Sequence, residues 1–275
     1  MAKCNKIIKH LFLIFISLTM FFPFIWMFLN GLKTKDEIWA TPPTLFPENP
    51  NWLNFKIAWE SAPYGLYIFN SFYVSILIVL FQTISSLMFA YLFTQYNFKG
   101  KSLIFSIVLS TYMIPVVATY VPSYVFLSRI NLLDTHAGLI MSSTVSVFGI
   151  FLFRQSFMQI PKEIIKAAKI EGANDWKILW KLMVPMIKPT IVAFGLISFI
   201  EQYNNYLWPS LVISSEEKYL ISQGLQDFFS SEGAYGMDWS IIMASSSFAV
   251  LPLLVLFLFA QKYIISGLLG NSLKG

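Results

Sequence analysis

Glu201, Gln202, Asn204 and Asn205 fall within five residues of one another inside an otherwise apolar run, with Trp208 and Pro209 just beyond. One carboxylate and three amides supply hydrogen-bond donors and acceptors but no nucleophile paired with a base, so their chemistry is recognition of a polar solute. A charged side chain within a membrane span costs about 2.5–3.5 kcal/mol on insertion scales and rarely faces lipid. On a continuous helix Glu201, Asn205 and Trp208 share one face. Glu201, Asn204, Asn205 and Trp208 are therefore candidates for the lining of a translocation path. The plainer reading places them in an aromatic belt at the headgroups, but so many polar groups in five residues exceed what a belt requires.

The second concentration of chemistry is KAAKIEGANDWKILWKLMVPMIKP, residues 166–189. Pro161 stands where a helix would begin. Ile160, Ile164, Ala167, Ala168 and Glu171 then share one helical face, and Lys162, Lys166 and Lys169 share the opposite one. Gly172 permits a break. Ala173 or Asn174 can precede a second helix with Asp175 in its first turn, and that helix groups Trp176, Leu179, Trp180 and Met183 until Pro185 and Pro189. An amphipathic helix lying in the headgroups would show the same wheel, yet residues as small as Ala167 and Ala168 suit close docking of another surface better.

Other signals fail. Gly100-Lys101-Ser102 resembles the end of a phosphate-binding loop, but Gln95 occupies the place of its first glycine and no strand precedes it. The chain should bind no ATP and carry no cofactor. His10 and His136 are far apart, and Cys4 is the lone cysteine, so neither a metal site nor an intramolecular disulfide is expected. A membrane enzyme would need a catalytic or metal cluster, and none is visible.

The elements that hold these residues follow from composition. Apolar residues make up 56% of the 275, charged residues 12%, and mean hydropathy is +0.64. Globular domains carry roughly 25% charged residues, so this chain cannot coat a water-exposed globule and reads as an all-α integral membrane protein. Six apolar runs, 8–29, 71–94, 102–122, 137–158, 189–211 and 239–261, each approach the ~20 residues that cross a bilayer. Pro115 and Pro252 should kink two of them without expelling them. The first run is longer than a signal peptide's apolar core and has no cleavage site, so it reads as a retained helix. Of the 19 Lys and Arg, fourteen fall in or beside segments on the N-terminal side and five on the other. That bias puts both termini in the cytoplasm and explains the basic pI near 9.1 without a nucleic-acid partner. The external segments 30–70 and 212–238 are long, and the latter reads plainly as a solvated linker.

Residues 166–173 resemble the EAA loop of ATP-binding-cassette (ABC) importer permeases, whose core is E-A-A-x-x-x-G with an acid before the glycine. Further likeness lies in YIFNSFYVS (67–75), FGIFLFRQSFMQIPKE (148–163), SFIEQYNNYLWP (198–209), YGMDW (235–239) and LPLLVLFLFAQKYIISGLLGNSLKG (251–275). Together they resemble the carbohydrate-uptake, MalG-like subfamily over nearly the whole chain. The resemblance implies a six-helix, MetI-like type I permease fold. It divides the chain into an N-terminal helix and external loop (1–70), a core transmembrane domain (71–262) containing a coupling loop (159–188), and a cytoplasmic tail (263–275). It implies a multi-pass protein of the cell membrane that takes up a sugar or oligosaccharide. Its partners would be a second homologous permease, two ATPase subunits that bind the ATP, and an external sugar-binding protein.

On this pattern Ala167, Ala168, Glu171, Gly172, Ala173 and Pro185 would couple to the ATPase. The rings of Tyr203, Tyr206 and Trp208 would be available to sugar faces, segment 212–238 would reach the binding protein, and the tail would touch the ATPases. Lys166 departs from the motif by replacing its glutamate, so either the partner differs or this site couples more weakly, and docking is expected to rest on Glu171 and Gly172. Glycerol-3-phosphate is the alternative solute. A secondary transporter is the alternative class, but it would more often show internal repeats and several ion-coupling acids.

Overall fold

The computed structural model describes residues 2–231 and 238–269. Among these the chain is helical throughout, with no strand. The elements run α1 (Ala2–Gly31), α2 (Lys35–Ile38), α3 (Leu53–Ser61), α4 (Tyr64–Gln95), α5 (Lys101–Thr111), a 3₁₀ turn at Val116–Thr119, α6 (Tyr120–Arg129), α7 (His136–Ser142), α8 (Val147–Met158) and α9 (Lys162–Ile170). There follow α10 (Asp175–Lys177), a π-helical turn (Ile178–Met183), α11 (Val184–Met186), α12 (Lys188–Tyr203), α13 (Leu207–Val212), a 3₁₀ turn at Glu216–Lys218, α14 (Ile221–Ser231) and α15 (Trp239–Leu269).

Among the described residues, three unbroken helices are long and apolar enough to cross a membrane: Lys9–Gly31, Tyr64–Gln95 and Trp239–Leu258. Three bent pairs bring the number of spans to six when each pair is one span. Pro252 lies inside α15, which continues through it. The expected single helix over 102–122 is instead broken: α5 stops at Thr111, and the next helical stretch, Val116–Arg129, leaves at 99°. Pro115 starts that stretch because it lacks a donor but has the right φ, so it acts as an initiator rather than a kink. The run 137–158 breaks at 143–146 and bends by 48°. The third bend, of 80°, falls at Ile187, between Asp175–Met186 and Lys188–Tyr203, and the run 189–211 is interrupted after Tyr203.

The chain packs as two units, residues 1–66 with 224–254 and residues 67–223 with 255–275. In the first, the carbonyls that α1 leaves unpaired at its end are met by a side chain: Asn54 Nδ2 donates to the Gly31 and Lys33 carbonyls at 3.0 and 2.8 Å. Lys33 is buried, with its ammonium 4.9 Å from the Trp26 ring and bonded to the Thr44 carbonyl. Phe55 and Trp59 pack edge-on to Phe248 at 5.9 and 5.0 Å, fixing α3 against α15. A Thr34–Glu37 capping box starts α2.

In the second unit α4 organises everything else in layers. Val74 and Ile78 join Leu127, Leu139, Trp208, Val212 and Ile213 in one buried cluster. About one turn further, Gln82, Ser85 and Ser86 form a polar rung whose side chains donate to the carbonyls of Ser143 (2.9 Å), Thr144 (2.8 Å) and Ser146 (3.2 Å). A helix broken within a bilayer must have its freed backbone groups satisfied by other protein groups, and this rung receives two of them, at Ser143 and Thr144, while the Ser146 carbonyl also accepts the Ile150 N–H at 3.0 Å. Beyond it, Leu87, Ala90 and Tyr91 enter a second cluster with Phe153, Phe157, Ile160, Ile165, Ile178, Met183 and Phe194.

Candidate functional site

The second unit contains an open cavity of about 1010 Å³, and three interruptions between helices meet at it. The breaks at 112–115, 143–146 and 204–206 each line it. The sequence candidates Glu201, Asn204, Asn205 and Trp208 all lie on its wall, together with Gln202 and Tyr206. They do not share a helical face, because α12 ends at Tyr203 and α13 begins at Leu207. Glu201 and Asn204 are exposed to the cavity, Asn205 is half-buried, and Asn204 Nδ2 donates back to the Ile200 carbonyl at 3.0 Å.

The aromatic expectation needs correcting. Tyr203 is 1% exposed and packs on Phe72 and Phe199 at 5.5 and 5.9 Å, so its ring is structural. Trp208 is 5% exposed; its indole N–H donates to Ser142 Oγ at 2.9 Å and its ring lies 5.1 Å from Tyr120. It braces the wall, locking α13 to α7 and to Tyr120. Tyr206 alone of the three stays half-open. Gln82, Thr111, Ser142, Ser143 and Ser146 also reach the cavity. The Ser142-Ser143-Thr144-Val145-Ser146 run was the available signal, since clustered Ser and Thr mark breaks as well as helix caps. Gln82 itself gave none.

In the 159–188 segment, Pro161 caps α9 rather than opening it. Gly172 has φ of +81°, the left-handed geometry that the break requires. Asn174 caps α10, its Oδ1 accepting from the Lys177 N–H at 2.9 Å. The face that turns inward holds Ile160, Ile165, Ile178, Leu179 and Met183, with Ala168 and Ala173 packed partly buried against them. Ala167, Glu171, Gly172 and Pro185 are exposed, as is the lysine stripe. Two large apolar side chains join that free face, Ile170 at 87% and Trp176 at 62% exposure, along with Ile164. Asp175 pins the turn to the end of α4: the Tyr91 and Tyr96 hydroxyls donate to its two carboxylate oxygens at 2.7 and 2.6 Å. The Tyr96 bond, the Tyr91 bond and the field of Lys169 hold the Asp175 carboxyl below its ordinary value.

Segment 212–238 is no free linker over its described part. Asp134, at φ 53°, accepts from the Ser214 and Ser215 N–H groups at 3.0 and 2.9 Å, from Ser215 Oγ and from Lys218 Nζ at 2.9 Å. Those bonds, the Ser215 hydroxyl first, hold its carboxyl well below the usual range. Tyr67 donates to Glu216, Asn70 to the Glu217 and Tyr219 carbonyls, and the Ile221 N–H to Ser71 Oγ. The chain then enters α14. Tyr235 to Met237 of the YGMDW stretch and residues 270–275 of the tail lie outside the described residues.

A broken-helix bundle with a polar cavity and a basic, capped turn is the architecture of a membrane transport subunit. Residues 74–269 match the family described as binding-protein-dependent transport system inner membrane component, and this chain belongs to it. It is 30% identical to the arabinooligosaccharides transport system permease protein AraQ of Bacillus subtilis (strain 168), over 98% of this chain and 96% of that one. It is 31% identical to the sn-glycerol-3-phosphate transport system permease protein UgpE of Yersinia enterocolitica, with 95% of each covered. In fold it matches a bacterial ABC transporter involved in import of the acidic polysaccharide alginate, with a TM-score of 0.80 at 20% identity over 95% of this chain and 96% of the other. A second alginate transporter structure, in complex with an alginate pentasaccharide-bound periplasmic protein, gives 0.63 at 20% identity, with 95% of this chain and 96% of that one covered. The chain is a membrane-embedded permease subunit of an ABC importer, not an enzyme.

Proposed function

We propose that this chain is one of two permease subunits of a carbohydrate importer, driven by ATPases that dock on the free face of α9 and α10. The observation that carries the reading is the exposure of Ile164, Ile170 and Trp176 around Gly172, on a turn whose opposite face is buried in its own helices. Large apolar side chains held rigidly in the open are what a partner covers. Ala167, Glu171, Gly172 and Pro185 belong to that contact, while Ala168 and Ala173 support it from behind. Lys166, on the lysine stripe, contributes charge only. The N- and C-termini and this turn face the cytoplasm, and an external sugar-binding protein delivers the solute to the opposite end. The relative named for arabinooligosaccharides supports a sugar cargo. The relative named for sn-glycerol-3-phosphate keeps an anionic solute as the second reading.

The test is co-purification of the tagged chain from its native membrane in mild detergent. An ATPase with a phosphate-binding loop and a second permease should come down with it. Ile170→Asp and Gly172→Pro should lose the ATPase while the chain stays inserted, and Lys166→Glu should keep it. A stable chain that captures neither partner and transports along an ion gradient would sink the reading.

A further inference from the structure

We propose that Glu201 makes the cavity an electrostatic filter against anions, so that the solute passing this chain is an uncharged polyhydroxy compound. The inference rests on the reading of this chain as a carbohydrate permease and narrows it to one chemical class.

Among the described residues, Glu201 is the only charged side chain on the cavity wall; no Lys, Arg or His reaches it. The ion pairs among those residues are Lys56–Glu60 and Lys218–Asp134, so none of this chain's described cations pairs with Glu201. The wall also holds apolar groups such as Met113, Ile114, Val116 and Leu207. Charge of one sign in a cleft with low-dielectric walls focuses its field into the space it faces, concentrating counter-ions and excluding ions of like charge. A phosphate or carboxylate entering here would lose water and meet a like charge with no cation from this chain to offset it.

The remaining lining suits the opposite kind of solute. Gln202, Asn204, Asn205, Thr111, Ser142 and Ser143 present neutral donors and acceptors. The helix interruptions at 112–115, 143–146 and 204–206 open onto the same space. Hydroxyl groups both donate and accept, so a sugar can satisfy amides, hydroxyls and the Glu201 carboxylate together.

The filter is tested on the assembled transporter in nanodiscs, without any need to know the sugar. Cys4 is the only native cysteine of this chain. Cys4→Ser therefore leaves room for one reporter, Ser123→Cys on the cavity wall, with the partner subunits made cysteine-free. Rates of modification by a trimethylammonium thiosulfonate and by a sulfonate thiosulfonate of similar size are compared with those of a water-exposed cysteine. The cation should be favoured by about tenfold over that control, and Glu201→Gln should bring the ratio back to it. A wild-type ratio equal to the control, or favouring the anion, would overturn the filter, as would a ratio unchanged by Glu201→Gln. The wild-type ratio needs no substitution at 201, so poor folding of the variant leaves the test intact. Uptake is scored separately: a ratio as expected in a complex that imports no carbohydrate would leave the filter standing and discard the transport reading on which the solute class rests.

Discussion

Gln82 serves three elements at once. From α4 its amide donates to the Ser143 carbonyl at the break of one span and accepts from Ser198 Oγ on another. Gln82→Leu keeps the volume but strands both partners in a buried setting, at a cost of about 1 kcal/mol. Thermal unfolding of the purified chain in detergent should show a midpoint lower by about 2–4 °C. Asp134 belongs to the same scale. Its folded carboxyl titrates below the unfolded value of about 3.9, so folding favours the ionised form. Its stabilisation is fully present above the unfolded value and is lost as pH falls through the folded one. Limited proteolysis of segment 213–220 should therefore be slow at pH 6 and fast near pH 2, whereas Asp134→Asn should be cleaved quickly at both. Equal protection of the two proteins at pH 6 would show that the carboxylate does not hold the segment.

Helices of this permease are set by how they end as much as by what they bury. Ser146 caps α8 by accepting from the Gly149 N–H at 3.1 Å, and Ser86 holds the Ser146 carbonyl. That closeness leaves no room at Gly149, where a Cβ would stand 2.6 Å from Ser86 Oγ and 2.9 Å from the Phe194 ring. Gly149→Ala should destabilise by about 1–3 kcal/mol through overpacking, read as a lower unfolding midpoint. Gly172 is the opposite case. Nothing lies within 4 Å of its absent Cβ, so Gly172→Ala meets only left-handed backbone strain of about 1–2 kcal/mol. The turn should loosen without disturbing the bundle, seen as faster hydrogen exchange confined to residues 170–175.

At the scale of the whole molecule, the second unit links its cavity and the turn at Gly172 through α4. Gln82 in the polar rung lies about 14 Å, at 1.5 Å per residue, from Tyr91, which holds Asp175. Asp175→Ala should slow ATP-driven uptake several-fold while ATPase capture stays unchanged, since Asp175 faces α4 rather than the free face. Lost capture would place Asp175 in the docking contact instead. Much of this was legible in the chain itself. Its apolar composition and six runs determined a helical membrane bundle, because lipid offers the backbone no partners. The pattern around Gly172 determined a capped turn, because caps and left-handed glycines act locally. The tertiary structure alone decided that the helices are interrupted at 112–115, 143–146 and 204–206, that these interruptions share one cavity, and that Tyr203 and Trp208 turn into the protein while Glu201 faces that cavity. A broken span persists only where distant side chains receive its freed carbonyls, and Gln82, Ser85 and Ser86 stand about 60 residues along the chain from the carbonyls they hold.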